Sequence, residues 1–349
     1  MPVASDDTLE VFRWSVRDGS QPLGRMVRWT EQDPEDGVDD VGPGGLLYWT
    51  PGEVEGELVP RTPRVLRPDG STGALGPSRE DAYARLAWLP PESAEGAAAP
   101  PLAVVNHGPQ VSFLRTAPGA AGTTVRTVSA ARDTTGVVLG LAVHSADGRV
   151  AAAVLEHAYR EDAAAAGDLV VLDRTGRPQA RLAGVLPVRR SDGFYLPVPL
   201  HWLPDGRILF ARPTADPRAG DGAGGEPTRL VLADPATTRI DSTDVFNPEV
   251  RGVSRAGAVL LAPARVFDAR RGTVDSLPWV EGEELRPTSI SPDGRWISGW
   301  VPRDDGAQVF GLLDRRSGGW RVLGRGFALG WMPDGAFLWA AFGTSPGRH

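Results

Sequence analysis

An all-β chain of repeated four-stranded antiparallel units, closed into a ring, is the architecture that three features of this 349-residue sequence predict. A tight turn recurs in one register, a second turn family alternates with it, and each end of the chain carries half a unit. The turn is read from His144-Ser145-Ala146-Asp147-Gly148-Arg149, Trp202-Leu203-Pro204-Asp205-Gly206-Arg207, Ile290-Ser291-Pro292-Asp293-Gly294-Arg295 and Trp331-Met332-Pro333-Asp334-Gly335. Apolar runs follow each: Val150 to Leu155, Ile208 to Ala211, Trp296 to Val301 and Ala336 to Phe342. Pro supplies a fixed φ and Gly a positive one, so each segment reads as a hairpin turn. Ser254 to Gly257 and Trp88-Leu89-Pro90 are degenerate copies that lack the aspartate.

In the second turn family an apolar strand ends on Asp and passes through Gly into the next strand: Leu169 to Asp173 with Gly176, Arg265 to Asp268 with Gly272, and Phe310 to Asp314 with Gly318. Leu230 to Asp234, followed by Pro235, has the same shape without the glycine. Alternating the two hairpins makes a four-stranded unit of roughly 40 to 50 residues, the size of one β-propeller blade. At the C-terminus, the hairpin around Asp334-Gly335 has no second hairpin after it. At the N-terminus, Leu9 to Val16 with Asp18-Gly19 has no first. Joining these halves would satisfy edges that otherwise invite aggregation. The expectation is a single closed β-propeller over 1–349, with tails at 1–8 and 344–349. Its blades span Arg25 to Gly76, Ala82 to Ala130, Val137 to Ala183, Tyr195 to Thr243, Pro248 to Pro278 and Arg286 to Gly324, plus the composite. That makes about seven blades, with six or eight left open by the irregular first two.

Ser291 to Trp296 and Trp202 to Ile208 resemble the blade repeat of the TolB-type propellers, relatives of the WD repeat. The likeness covers the middle and C-terminal parts better than the region before Ala130. It implies the fold rather than one activity, because that family holds interaction scaffolds, propeller halves of peptidases and polysaccharide lyases. No complete Gly-His and Trp-Asp pair of the WD repeat is present.

Composition narrows the function. The formal net charge is -7, which offers no positive field for nucleic acid, and no apolar stretch is long enough to cross a bilayer. All 37 basic residues are arginine, so lysine chemistry is excluded, and with Cys at 0 there is no thiol chemistry. The start, Met1-Pro2-Val3-Ala4-Ser5-Asp6-Asp7, lacks the features of a leader, so the expectation is a cytoplasmic protein; export with a leader removed is the alternative.

Asn106-His107-Gly108-Pro109 resembles a hydrolase oxyanion segment, and Gly343-Thr344-Ser345-Pro346-Gly347 formally matches a nucleophile elbow. After Ser345 only His349 follows as a partner, so a triad is not completed, and Asn106 to Pro109 reads as a hairpin between Leu102 to Val105 and Val111 to Arg115. The five histidines, His107, His144, His157, His201 and His349, lack local metal-site spacing. No cofactor is predicted, and an axial divalent metal gathered from several blades is the alternative. Asp33, Glu35, Asp36, Asp39 and Asp40 read as a solvated acidic loop. The tryptophans, Trp88, Trp202 and Trp331 above all, read as packing between blades.

Innermost strands of a propeller start at one face of the axial opening, where the connecting loops gather. The register places Arg25, Arg85, Tyr195, Arg251 and Arg286 near those starts, with His157, Tyr159, Arg160 and Phe194 on neighbouring loops. Several arginines around one opening suit a protein partner with an acidic segment or a small anionic ligand. The functional expectation is therefore a non-catalytic binding or scaffold propeller, with a lyase or hydrolase using axial His and Arg as the alternative. Oligomeric state is left open.

Overall fold

The computed structural model describes residues 8–27, 38–51, 61–77, 83–91, 101–116, 122–157, 166–191, 194–219, 226–280, 282–302 and 308–341. β1 (Thr8–Ser15) and β2 (Gly19–Val27) open the chain. Blade I holds β3 (Val38–Gly42), β4 (Gly45–Pro51), β5 (Arg61–Leu66) and β6 (Thr72–Ala74), and blade II holds β7 (Leu86–Trp88), β8 (Leu102–His107), β9 (Gln110–Arg115) and β10 (Thr123–Ser129). Blade III is β11 (Val137–Val143), β12 (Val150–Leu155), β13 (Ala166–Leu172) and β14 (Pro178–Pro187). A two-stranded ribbon, β15 (Arg190–Ser191) and β16 (Phe194–Tyr195), leads to blade IV: β17 (His201–Trp202), β18 (Ile208–Pro213), β19 (Thr228–Asp234) and β20 (Arg239–Phe246). Blade V is β21 (Glu249–Val253), β22 (Ala258–Ala262), β23 (Arg265–Asp268) and β24 (Thr273–Ser276), and blade VI is β25 (Arg286–Ile290), β26 (Trp296–Pro302), β27 (Gln308–Asp314) and β28 (Trp320–Gly324). β29 (Gly326–Trp331) and β30 (Phe337–Ala341) complete blade VII, whose strand order is β2-β1-β30-β29.

The chain is thus a seven-bladed β-propeller closed by its own termini. β1 pairs antiparallel with β30, with Val11 opposite Ala340 and Phe12 opposite Trp339. This closure corrects two expectations. Thr8 belongs to β1, opposite Val27, rather than to a tail. Blade I starts at Val38 rather than Arg25, because Gly19–Val27 is used up pairing with β1. The expected tail residues 1–7 and 344–349 lie outside the described residues.

Seven apolar clusters fill the seven seams, one between each pair of neighbouring blades. The seam between blades VI and VII is aromatic, with Trp14, Trp296, Phe310, Trp331, Phe337 and Trp339 packed together. Trp88 sits in the seam of blades I and II, and Trp202 in that of III and IV, as their repeated position predicts. Each buried side chain of this size contributes roughly 1.5–3 kcal/mol, so adhesion between blades holds the ring together.

The two turn families lie on one face. Among the described residues, nine aspartates there accept a backbone N–H two residues ahead: Asp69, Asp147, Asp173, Asp205, Asp234, Asp268, Asp293, Asp314 and Asp334. The glycines that follow the Asp at 148, 206, 294 and 335 all have positive φ. The legible repeat is explained by turn formation, and the connectors between blades lie on the opposite face.

Candidate binding face

Every blade's innermost strand runs from the connector face to the turn face, since each blade is antiparallel and each chain segment enters at the same end. Five innermost strands carry a bulge, where two residues oppose one on the neighbouring strand. The extra residue is Asp39 in β3 and Arg251 in β21, and a bulge re-aims the side chain it carries.

The expected site residues fall into three groups. Arg25 lies on the outermost strand of blade VII, 3.5 Å from Glu10 across β1 and β2, and so stands away from the axis. Tyr159 and Arg160 lie outside the described residues. The remainder are on the connector face, and the structure brings some of them together. Arg85 immediately precedes β7, and its main-chain N–H donates to Asn106 Oδ1 at 2.8 Å. Asn106, wholly buried, also donates through Nδ2 to Tyr83 O (2.8 Å) and Val138 O (3.1 Å), tying blades II and III to their entry connector. The hairpin reading of Asn106 to Pro109 therefore holds: the segment joins β8 to β9. The adjacent Tyr83 accepts, at its hydroxyl, the main-chain N–H of Tyr195 at 2.8 Å, so two connectors that are distant in sequence meet there. Phe194 opens β16 beside Tyr195, and the Arg190 guanidinium stacks 4.5 Å from the Tyr195 ring. His157 has φ +55° and holds its Nδ1 2.9 Å from Asp133 of the connector before blade III.

Arg251 is ion-paired with Glu249, and Arg286 opens β25 exposed to solvent. Sequence reasoning missed Arg132, Arg189, Arg190 and Arg325, exposed residues of the connectors before blades III, IV and VII. Among the described residues, Arg132, Arg189, Arg286 and Arg325 have no salt-bridge partner. Each precedes an innermost strand by at most about a dozen residues, a spacing that fixes no position on the face until the path of its connector is known. Also missed were two exposed apolar residues on the same face. Trp279 is 70% exposed although Leu277, Val280 and Leu285 around it are buried and Val280 bridges Glu283. Leu196, 41% exposed, is held by its N–H to Arg189 O. Both stand beside main-chain hydrogen bonds, Leu196 N–H to Arg189 O and the reciprocal pair between Val280 and Glu283.

The acidic-loop expectation is corrected at two positions, while Asp33, Glu35 and Asp36 lie outside the described residues. Asp39 and Asp40 are on β3, with small areas open to solvent but enclosed by protein. Asp39 Oδ2 accepts from Leu86 N at 2.7 Å and from the Trp49 indole, and Asp40 Oδ2 accepts from Trp88 N at 2.7 Å. Burial pushes both carboxyls up, Asp40 to about 7; nearby Arg85 opposes the rise at Asp39.

His144 is buried against Trp202 and bonded to Asp147 on the turn face, as its repeat position suggests. Burial alone pushes His201, on β17, down to about 4, which leaves it neutral at pH 7. Among the described residues no group of three His, Asp or Glu side chains is placed to hold a metal ion. No helix among them is long and apolar enough to cross a membrane.

No protein-family model matches the chain, and no curated protein matches it in sequence. Solved structures do resemble it. TolB from Acinetobacter baumannii is 13% identical, with 80% of this chain and 68% of that one covered at a TM-score of 0.40. The Dos1 propeller is 10% identical over 88% and 78% of the two chains, with a TM-score of 0.44. The β-propeller domain of the Trilobed protease from Pyrococcus furiosus is 9% identical over 84% and 88%, with a TM-score of 0.45. Identities this low speak to fold alone, and in fold this chain is similar to TolB-type and other β-propellers.

Proposed function

We propose that the protein is a binding platform whose connector face takes an acidic, extended segment of a protein partner. The observation that carries this reading is the distribution of arginines. Arg85, Arg132, Arg189, Arg190, Arg286 and Arg325 stand at five different blade junctions of one face of a chain whose net charge is -7. Guanidiniums spread over separate junctions do not converge on one small anion, whereas they match carboxylates spaced along a peptide. Trp279 and Leu196 add exposed apolar anchors to the same face, and tryptophan is among the residues enriched at binding hot spots. The turn face supports the choice by contrast, because its aspartates are engaged by their own turns.

The test compares two quadruple variants of equal charge change by fluorescence anisotropy of a fluorescein-labelled, glutamate-rich peptide at low salt. One reverses the crown (Arg132→Glu, Arg189→Glu, Arg286→Glu, Arg325→Glu), and the other the turn face (Arg17→Glu, Arg177→Glu, Arg271→Glu, Arg316→Glu). The crown variant should lose at least tenfold in affinity and the turn-face variant about twofold. Equal losses, or no binding by the wild type, would refute the reading.

A further inference from the structure

The connector that carries Arg132, between β10 and β11, is gripped by charged side chains of blade III. Glu156, the residue after β12, accepts the main-chain N–H of Arg132 at both carboxylate oxygens (3.0 Å each) and that of Asp133 at Oε2 (3.1 Å). Arg181 of β14 stands behind it. Its Nη1 donates to Glu156 Oε1 (2.9 Å) and to Asp168 Oδ2 (2.7 Å), and its Nη2 donates to the carbonyl of Ala130. Asp168 Oδ1 accepts Gly184 N–H at 2.9 Å, which ties the group to the outermost strand. The side chains of Arg181, Glu156 and Asp168 are only 18%, 21% and 15% exposed, so these charge-assisted bonds are weakly screened.

The next residue adds a second hold. His157 adopts φ +55°, a left-handed conformation that is costly for a residue with a Cβ, and it places Nδ1 2.9 Å from Asp133 Oδ2. Asp133 Oδ1 in turn accepts the main-chain N–H (2.8 Å) and the hydroxyl (2.9 Å) of Thr135. The main chain from Ala130 to Thr135 is thus fixed at four of its polar groups. The Arg132 side chain that leaves it is exposed and has no salt-bridge partner among the described residues.

That choice of partner is informative. Elsewhere carboxylates pair with guanidiniums directly, as Asp147 does with Arg149, Asp205 with Arg207 and Asp314 with Arg295. Glu156 lies against Arg132 yet takes its main-chain N–H and leaves its guanidinium to solvent.

We propose that Glu156 and Arg181 are positioning residues for Arg132: they fix its connector so that the guanidinium meets a partner carboxylate without first being ordered. The inference rests on the acidic-segment reading given above. A held connector spares binding part of the entropy that a loose one would lose. Charge makes the sign of the effect diagnostic. Removing a carboxylate beside a site for an acidic segment strengthens binding if Glu156 acts only through its field, and weakens it if Glu156 holds Arg132 in place.

The labelled glutamate-rich peptide, titrated at low salt against Glu156→Ala, Arg132→Ala and the double variant, tests this. Each single variant should weaken binding about threefold, and the double variant no further, because the clamp acts through Arg132. In the free protein, amide exchange at Arg132 and Asp133 should accelerate at least tenfold in Glu156→Ala, while exchange at Val198, whose N–H donates to Leu139 O, should not change. Glu156→Gln keeps an acceptor oxygen but loses the charge facing Arg181, so it should fall between wild type and Glu156→Ala in both readouts. It also replaces the alanine variant if that does not fold. Wild-type or tighter binding by Glu156→Ala, with Arg132→Ala weakened, overturns the positioning role and leaves the acidic-segment reading standing. A loss on Glu156→Ala that persists when Arg132 is absent, or an Arg132→Ala variant that binds like the wild type, overturns the role as well. A wild type that binds no peptide overturns both.

Discussion

Asn106→Leu should be among the most damaging single substitutions in this ring, although it replaces a polar residue with an apolar one of similar size. Asn106 has no exposed surface, and it satisfies Arg85 N–H, Tyr83 O and Val138 O at 2.8, 2.8 and 3.1 Å. Leucine would strip all three of these bonds from a site that water does not reach. A buried group left without its partner costs about 1–3 kcal/mol, and leucine recovers part of that through its extra apolar contact, so the net loss should be about 3–5 kcal/mol. Urea unfolding followed by circular dichroism measures it. The variant should also release the connector carrying Arg85 and Tyr83, seen as faster amide exchange at Arg85 and at Tyr195, whose N–H rests on the Tyr83 hydroxyl. A loss below about 1 kcal/mol would refute the claim that these bonds hold the two blades and their connector in place.

Further predictions concern closure and charge. Deleting Thr8 to Gly24 removes the strand that pairs with β30, together with the buried Leu9, Val11 and Trp14, and should cost about 6 kcal/mol and open the ring. A truncated protein that melts like the intact one would contradict the closure. Asp314 accepts from Arg295 Nε (3.1 Å) and Nη2 (2.7 Å), and these bonds hold its carboxyl well below the usual carboxylate range. Its stabilisation is therefore present above about pH 4 and lost as pH falls through the depressed value, so Asp314→Asn should cost about 1–3 kcal/mol at pH 7 and progressively less in acid. An unfolding difference that stays constant down to pH 2 would exclude that ion pair as the cause.

Fold and site were legible to different degrees because their determinants lie at different ranges. Turns are local: Pro-Asp-Gly at 204–206, 292–294 and 333–335 and its partner turns set strand ends, blade number and closure without knowledge of any distant contact. The blade I boundary was misplaced because Gly19–Val27 carries an ordinary strand pattern, and only its pairing to β1 assigns it to blade VII. Asp39 and Asp40 read as solvated because acidic neighbours, Gly and Pro surround them. Their burial comes from the N–H edge of β7, some 47 residues further on. The arginines were half found: Arg85 and Arg286 sit at strand starts and fell on the expected register, whereas Arg132, Arg189 and Arg325 sit within connectors whose path only the folded ring reveals. Trp279 escaped for the same reason, since its exposure is set by the burial of Leu277, Val280 and Leu285 beneath it.

The central claim, that recognition belongs to the connector face, is tested most directly by mapping amide-exchange protection with the glutamate-rich peptide bound. The account predicts protection in the connectors 130–136, 194–200 and 277–285, which carry Arg132, Leu196 and Trp279 or lead into Arg286, and none in the Asp-Gly turns at 145–148, 204–206 and 292–294. Protection confined to those turns, or to the outermost strands, would contradict it.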